Sequence, residues 1–144
     1  MNWKLPAVLL LGAGLVSIGV SAIGPRMRAL AAAPASPEKL VFSSALKNVP
    51  GSRLTAVVVS YGPGDKSPPH HHAGSVFAYV LSGSIRSENS ATGPARVYQV
   101  GESFFEPEGS VHTVSENASA TEPASLLAVF VAPDGVALTN PERR

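Results

Sequence analysis

The stretch PGDKSPPHHHAGSVFAYVLSGSI, residues 63–85, places three consecutive histidines between a proline-rich turn and an apolar run. The apolar run is rich in β-branched and aromatic residues, which predicts a strand. Side chains alternate along an extended chain, so His70 and His72 share one face and His71 lies on the other. Two imidazoles on one strand face form a chelating pair. This stretch therefore predicts a β-fold that carries half of a metal site.

The chain beyond residue 39 continues this pattern of short strands and turns. Gly and Pro each number 13, and no stretch shows the helical period, which favours an all-β sandwich or barrel. Of the aromatic residues Phe77, Tyr79, Phe104 and Phe105, at least two are expected to fill the interior of the barrel. The predicted strands are 40–46, 53–62, 75–83, 84–88, 95–100, 102–107, 111–117 and 124–133.

The N-terminal segment, residues 1–31, predicts export. Lys4 precedes an uncharged apolar run over residues 5–23, and Ala29-Leu30-Ala31 has the small-residue pattern of a cleavage site. The run is nearly long enough to span a bilayer, so an uncleaved anchor that tethers the domain to a membrane is the alternative. Either outcome places the domain in the periplasm or the extracellular space. The expected organisation is a signal peptide or anchor over 1–31, a linker over 32–39, a β-barrel over 40–133 and a loose polar tail over 134–144.

Charge and cysteine content exclude several classes of partner and cofactor. Without Lys4, Arg26 and Arg28, the chain carries eight basic and ten acidic residues. It is then nearly neutral and lacks the basic patch of a nucleic-acid-binding protein. The sequence contains no cysteine, which rules out disulfides, thiolate catalysis and cysteine-bound zinc or iron–sulfur centres.

The residues around the histidines resemble the two sequence motifs of the cupin superfamily, and in particular of small single-domain type-2 cupins. The first motif, G-x5-H-x-H-x3,4-E-x6-G, is matched by Gly64, His70, His72 and Gly83. The second motif, G-x5-P-x-G-x2-H-x3-N, is matched by Gly101, Pro107, Gly109 and His112. The two motifs cover residues 64–116, and the resemblance extends over about 40–133. It implies a cupin-type jelly-roll β-barrel with a divalent metal in its mouth, held in typical cupins by three His and one Glu.

The chain departs from each motif at one position. The glutamate of the first motif would fall at Val76, and neither Val76 nor the adjacent Ser75 is a metal ligand of that kind. Glu116 stands at the asparagine position of the second motif and shares the parity of His112 on a straight strand, so it can face the same cavity. Glu106 is the other nearby carboxylate. Either glutamate is expected to supply a fourth ligand, to hold a ligand in place or to act as general acid or base, and the sequence leaves this choice open.

The resemblance and the ligand chemistry together predict a metal-dependent protein. Three neutral imidazoles from His70, His72 and His112 leave a divalent iron, manganese, zinc, nickel or copper ion electrophilic, which favours chelating anionic or enolic substrates. The chain is then expected to act on or bind a small organic molecule, as a dioxygenase-, isomerase- or decarboxylase-like enzyme. The alternatives are a non-enzymatic ligand-binding module and a metal-free structural or interaction domain. Small cupins commonly pair, so a homodimer joined through edge strands is expected.

Overall fold

The computed structural model of the protein describes residues 37–142, which form eleven β-strands. The predicted export or anchor segment, residues 1–31, lies outside the described residues. Within residues 37–142, no helix has the length and apolar character needed to cross a membrane. The strands are β1 Glu38–Ala45, β2 Ser52–Tyr61, β3 Lys66–Ser67, β4 His70–His72, β5 Ser75–Ser82, β6 Ser84–Asn89, β7 Gly93–Gln99, β8 Ser103–Glu106, β9 Val111–Asn117, β10 Ala124–Pro133 and β11 Thr139–Pro141.

The strands form two antiparallel sheets. One sheet has the order β1-β2-β10-β5-β8, and the other has the order β11-β4-β9-β6-β7, with β3 pairing to β9. The long strand β10 lies between β2 and β5, so neighbours in the sheet are distant in the chain, as in a jelly roll. The predicted all-β class is confirmed, and each of the eight predicted strands is present with its ends within two residues of the prediction.

The core lies between the two sheets and follows the strand period of two. Along β5, Val76 and Ala78 are each 1% exposed, whereas Phe77 and Tyr79 are exposed. The buried side chains of β2, β5 and β10 pack with Ile85 of β6, so that one continuous core joins both sheets. Burial of one face of each strand is the main stabilising term of such a fold.

The aromatic residues do not fill the barrel as expected. Phe104 is buried and packs on Tyr98, with 4.9 Å between the ring centroids. Phe77, Tyr79 and Phe105 are instead 44%, 39% and 50% exposed. The prediction that at least two of the four would be interior is wrong because Phe77 and Tyr79 have the outward parity of β5, and Phe105 pairs directly with Phe77.

Glycines of the two motifs form turns that set the ends of the strands. Gly83, between β5 and β6, has a φ of 66°, and a Cβ there would lie 2.5 Å from the carbonyl oxygen of Pro123. Gly101, between β7 and β8, has a φ of 86°. Only glycine adopts such angles without strain, so these positions are explained by the backbone and need no chemical role.

The C-terminal segment is ordered by pairing with the histidine strand. Strand β11 pairs with β4 in a register that places Thr139 opposite His72. Asp134 forms an ion pair with Arg53, with 2.7 Å between Oδ1 and Nε. The prediction of a loose tail is therefore wrong for these residues. A three-residue polar strand pairs through its backbone, and composition does not reveal such pairing.

Candidate metal centre

The three histidines predicted as ligands lie together in the structure. His70 and His72 project from the same face of β4, with 4.8 Å between their ring centroids. His112, on β9, is the direct cross-strand partner of His70. One ligand nitrogen from each of the three rings lies within 4.8 Å of those of the other two. Antiparallel pairing of two short strands thus builds a three-histidine group that can bind a metal.

Backbone carbonyls orient the two rings of β4. The Nδ1 atom of His70 lies 2.7 Å from the carbonyl oxygen of Pro68, and Nδ1 of His72 lies 3.2 Å from that of Leu138. A carbonyl only accepts hydrogen bonds, so these contacts assign the proton to Nδ1 of each ring, and the Thr139 hydroxyl, 3.3 Å from Nδ1 of His72, can accept from the same proton. Each Nε2 is then the unprotonated nitrogen, which is the form that binds a metal.

Burial keeps both of these imidazoles neutral. Loss of hydration lowers the pKa of His72 to about 4, although the nearby Glu106 carboxylate partly offsets this shift. Burial also lowers the pKa of His70. Both side chains are therefore neutral at neutral pH, and no proton has to leave before a metal binds.

His112 is held between a carboxylate and a hydroxyl group. It is 3% exposed, with Nδ1 3.1 Å from Oε2 of Glu106 and Nε2 2.9 Å from Oγ of Ser87. A serine hydroxyl both donates and accepts hydrogen bonds, so Ser87 can pair with either tautomer of the ring. His112 can therefore release Nδ1 to a metal while Nε2 donates to Ser87.

Glu106 is a buried carboxylate beside two of these histidines, His72 and His112. It is 4% exposed, and its Oε2 lies 3.7 Å from Nε2 of His72 and 3.4 Å from Nδ2 of Asn89. Burial alone would raise the pKa of Glu106, but the hydrogen bond from His112 and attraction to the neighbouring imidazoles outweigh it and lower the pKa. The carboxylate is therefore negatively charged at neutral pH.

Glu116, the other predicted carboxylate, points away from the histidines. Its Oε1 lies 3.2 Å from Nε of Arg86. The register between β6 and β9 shifts so that Thr113 is an extra residue on β9, a β-bulge that reverses the facing of the residues after it. Asn117 becomes the inward residue, 5% exposed, and donates to the carbonyl oxygens of Gly62 and Glu122. The straight-strand argument for Glu116 fails because of this bulge.

His71 lies on the opposite face of β4, as its parity predicted. Its side chain is 40% exposed, and Nδ1 is 3.5 Å from Oε2 of Glu142. It is absent from the three-histidine group formed by the described residues. Of the three consecutive histidines, two therefore face the site and one faces outward.

A cavity of about 250 Å³ opens beside the histidines. Its apolar wall comes from the five-stranded sheet and includes Val59, Leu126 and Phe130. On another side, the hydroxyl of Tyr61 lies 2.8 Å from Oγ of Ser115, and both residues line the cavity. The site combines an apolar chamber with convergent polar groups, which is typical of small-molecule sites.

The sequence analysis did not identify several residues that support the site. The period of two along β6 puts Ser87 and Asn89 on the same face as the buried Ile85, so alternation alone would have indicated them. Alternation along β2 would have indicated Tyr61 in the same way, because this last residue of the strand faces inward. The carbonyl of Leu138 is a backbone group, and no side-chain pattern indicates its role.

The residues of the site fit a divalent transition metal. His70 and His72 offer two neutral nitrogens, His112 offers a third, and Glu106 adds an anionic oxygen. This nitrogen and oxygen donor set suits iron, manganese, nickel, copper or zinc. No cysteine is available to favour a softer ion.

Fold and site together define a cupin-type β-barrel with a three-histidine group at its mouth. A comparison with protein families agrees, since the family described as Cupin domain matches residues 57–130. The chain belongs to the cupin family. A comparison with curated proteins finds no match.

Solved structures with the same fold include proteins of three bacteria. An uncharacterized conserved protein with a double-stranded β-helix domain from Klebsiella pneumoniae shares 20% identity, with a TM-score of 0.57 over 78% of this chain and 90% of that one. TT1209 from Thermus thermophilus shares 27% identity, with a TM-score of 0.54 over 69% of this chain and 84% of that one. DMSP lyase DddQ from Ruegeria pomeroyi shares 23% identity, with a TM-score of 0.52 over 61% of this chain and 42% of that one.

Proposed function

We propose that the protein binds one divalent transition metal through His70, His72 and His112 and acts there on a small organic molecule. The observation that carries this proposal is the orientation of the rings. Two histidines whose Nδ1 atoms bond to backbone carbonyls lie with a third, buried histidine in a group whose ligand nitrogens are within 4.8 Å of one another, beside an apolar cavity. The ion is iron, manganese, zinc, nickel or copper, all of which accept such ligands.

The surroundings of the site suit a compact substrate with one polar end. When bound, the metal supplies a Lewis acid that polarises a carbonyl or enolate oxygen. The walls formed by Val59, Leu126 and Phe130 hold the carbon skeleton and exclude water. The hydroxyl of Tyr61 can donate a hydrogen bond to a substrate oxygen, because the Ser115 hydroxyl can then donate to the Tyr61 oxygen.

One structural neighbour supports an enzymatic role in general terms. The Ruegeria pomeroyi protein is a DMSP lyase, so this fold can house an enzyme that acts on a small organic molecule. At 23% identity, and with 42% of that chain aligned, the likeness concerns the fold and not the substrate.

A non-enzymatic ligand-binding module is the second candidate. The polar groups of the cavity already bond to one another, as Tyr61 does with Ser115 and Glu106 with His112. Such paired groups can position a ligand without offering a free general base. Turnover of a bound compound to product separates the enzyme from the binding module.

We also propose that the domain works outside the cytoplasm. The uncharged run over residues 5–23 and the small residues Ala29 to Ala31 support export, with a membrane anchor as the alternative. N-terminal sequencing of protein recovered from the periplasm is expected to begin near Ala32. Recovery of the full chain from the cytoplasm would contradict export.

The function is tested by loading the protein with Co²⁺, whose visible absorption reports its ligands, and then titrating small carboxylic and enolic compounds. His70→Ala should abolish the spectrum of the protein-bound ion. Ala128→Leu, which narrows the cavity without touching a ligand, should keep the spectrum but weaken the response to added compounds. A folded wild-type protein that binds no Co²⁺ would contradict the metal site. A spectrum that no compound changes would contradict small-molecule binding.

A further inference from the structure

The first cupin motif of this chain has lost its carboxylate, yet a carboxylate stands beside the vacant position. Val76 occupies the glutamate position of that motif, and it is 1% exposed on the inward face of β5. Strand β8 pairs with β5 in a register that places Glu106 directly opposite Val76. Directly opposed residues of an antiparallel pair have Cβ atoms about 5 Å apart and share a face of the sheet. Glu106 therefore enters the cavity from the neighbouring strand.

The position of the Glu106 carboxylate matches that of a ligand. Metal–ligand distances of about 2.0–2.2 Å place neighbouring ligand atoms roughly 3.0–3.5 Å apart. Oε2 of Glu106 lies 3.1 Å from Nδ1 of His112, within this range, and 3.7 Å from Nε2 of His72, just beyond it. A third contact of the same oxygen, 3.4 Å, is to Nδ2 of Asn89, which donates a hydrogen bond to it. Three nitrogen atoms therefore lie within 3.7 Å of a single carboxylate oxygen, and two of them belong to the three-histidine group.

Charge supports the same assignment. Three imidazoles leave a divalent ion with its full double charge in a largely apolar cavity, where an uncompensated charge is costly. Burial of the Glu106 carboxylate, which is 4% exposed, costs free energy for the same reason. The carboxylate cancels one of the two charges of the ion, and the ion compensates the buried carboxylate. We infer that Glu106 is the fourth protein ligand of the metal and replaces, from β8, the carboxylate that the family motif supplies from the position of Val76.

This inference rests on the proposed metal site, and it differs from a purely structural role for Glu106. In a structural role, Glu106 would serve only as a hydrogen-bond acceptor that orients His112. Glu106→Gln separates the two roles, because an amide oxygen still accepts the bond from Nδ1 but carries no charge and is a poor metal ligand. Glu116→Gln is the matched control, since it removes an equal charge from a carboxylate paired with Arg86.

The experiment is a competition titration of the full, untagged chain with Zn²⁺ and with Mn²⁺ against a chelating indicator. Glu106→Gln should weaken the affinity at least tenfold, whereas Glu116→Gln should stay within threefold of wild type. Circular dichroism checks that both variants fold. A folded Glu106→Gln variant with wild-type affinity overturns the inference but leaves the three-histidine site intact. Absence of binding by the wild type overturns the proposed function itself.

A swap variant tests the cross-strand replacement directly. Val76→Glu combined with Glu106→Val returns the carboxylate to the motif position and keeps the number of buried charges constant. Its affinity should recover to within about threefold of wild type. A folded swap variant as weak as Glu106→Gln would contradict the equivalence of the two positions. If the swap does not fold, the single Glu106→Gln variant still decides whether the carboxylate is a ligand.

A second and independent observation concerns the outward face of the five-stranded sheet. We call it the outer apolar face. Its side chains are each between 39% and 53% exposed: Phe42, Phe77, Tyr79, Leu81, Phe105 and Val131. Three of them, Phe42, Phe77 and Phe105, lie in one row across the sheet, bridged by Ala56 and Val129. The row crosses all five strands, although Ala56 within it is only 7% exposed.

The area of this face matches what a stable dimer buries. With about 200 Å² per aromatic side chain, its four aromatic residues expose roughly 370 Å² in total. One side of a standard interface buries about 800 Å², of which roughly 500 Å² is apolar. Leu81 and Val131 add to the aromatic area. Strands β5 and β10, at the middle of the face, contain no charged residue, so two copies can meet there without repulsion between like charges.

The geometry points to a homodimer in which the outer apolar faces of two copies pack against each other, rather than through their edge strands. Sedimentation velocity of the full chain tests this arrangement. The wild type and the control Val136→Lys, which alters an exposed valine in the loop after β10, should be dimers. Phe77→Lys should be a folded monomer. A monomeric wild type overturns the proposal. So does a Phe77→Lys dimer, which would instead indicate edge pairing or association through residues 5–23.

Discussion

Acidification is expected to destabilise the metal-free protein through His72. Its side chain is 10% exposed, and burial lowers its pKa from 6.5 to about 4. Between these two pH values the unfolded chain binds a proton that the folded chain does not, so the free energy of unfolding falls as the pH falls. One pKa unit corresponds to about 1.4 kcal/mol. The expected loss from His72 is therefore about 2 kcal/mol on going from pH 7.5 to pH 5, and about 3 kcal/mol below pH 4.

Urea unfolding at pH 7.5 and pH 5.0 in the presence of a chelator measures this loss. His72→Gln carries no titratable group at this position, so its loss should be smaller than that of wild type by about 2 kcal/mol. His71→Gln, on the exposed face of β4, is the matched control and should lose as much as wild type. The lowered pKa of Glu106 favours folding at pH 5, and that contribution is lost only below about pH 4.5. Equal losses in wild type and His72→Gln would refute the reasoning.

Three further changes probe the supports of the site. Truncation after residue 137 removes β11 and the carbonyl of Leu138 that accepts a hydrogen bond from His72. Zinc affinity in a competition titration should then fall about tenfold. Unchanged affinity would show that β11 does not orient the ring. Tyr61→Phe breaks a buried hydrogen bond to Ser115 and should lower the free energy of unfolding in urea by about 1–2 kcal/mol, whereas an unaltered midpoint would contradict that role. Gly74→Ala would bring a Cβ against the backbone of β10, so thermal unfolding should show a free energy of unfolding lower by about 1–3 kcal/mol. A melting temperature equal to that of wild type would contradict the close packing seen there.

The strand positions could be predicted because they depend on local periodicity, and alternation placed His70 and His72 on one face. The grouping of His112 with them was predicted from the resemblance to the second cupin motif, and the structure pairs His112 with His70. The same alternation did not say which face of β5 is interior. That choice depends on the opposite sheet, so the exposure of Phe77 and Tyr79 could not be derived from their own strand.

The carboxylates were harder to assign because backbone irregularities decide their directions. Glu116 has the parity of His112 only on a straight strand, and the bulge at Thr113 reverses it. The nearness of Glu106 to the site depends on the pairing register of β8 with β5, which no local pattern encodes. Long-range pairing therefore accounts for what the sequence could not indicate at this site.

The most direct test of the account is the metal content of the full, untagged chain and of two histidine variants. Elemental analysis after reconstitution should find about one divalent transition metal per chain in the wild type and in His71→Ala, whose imidazole lies outside the three-histidine group. His72→Ala should fold and hold little or none. A folded wild type without metal, or a His72→Ala variant that retains it, would contradict the three-histidine site.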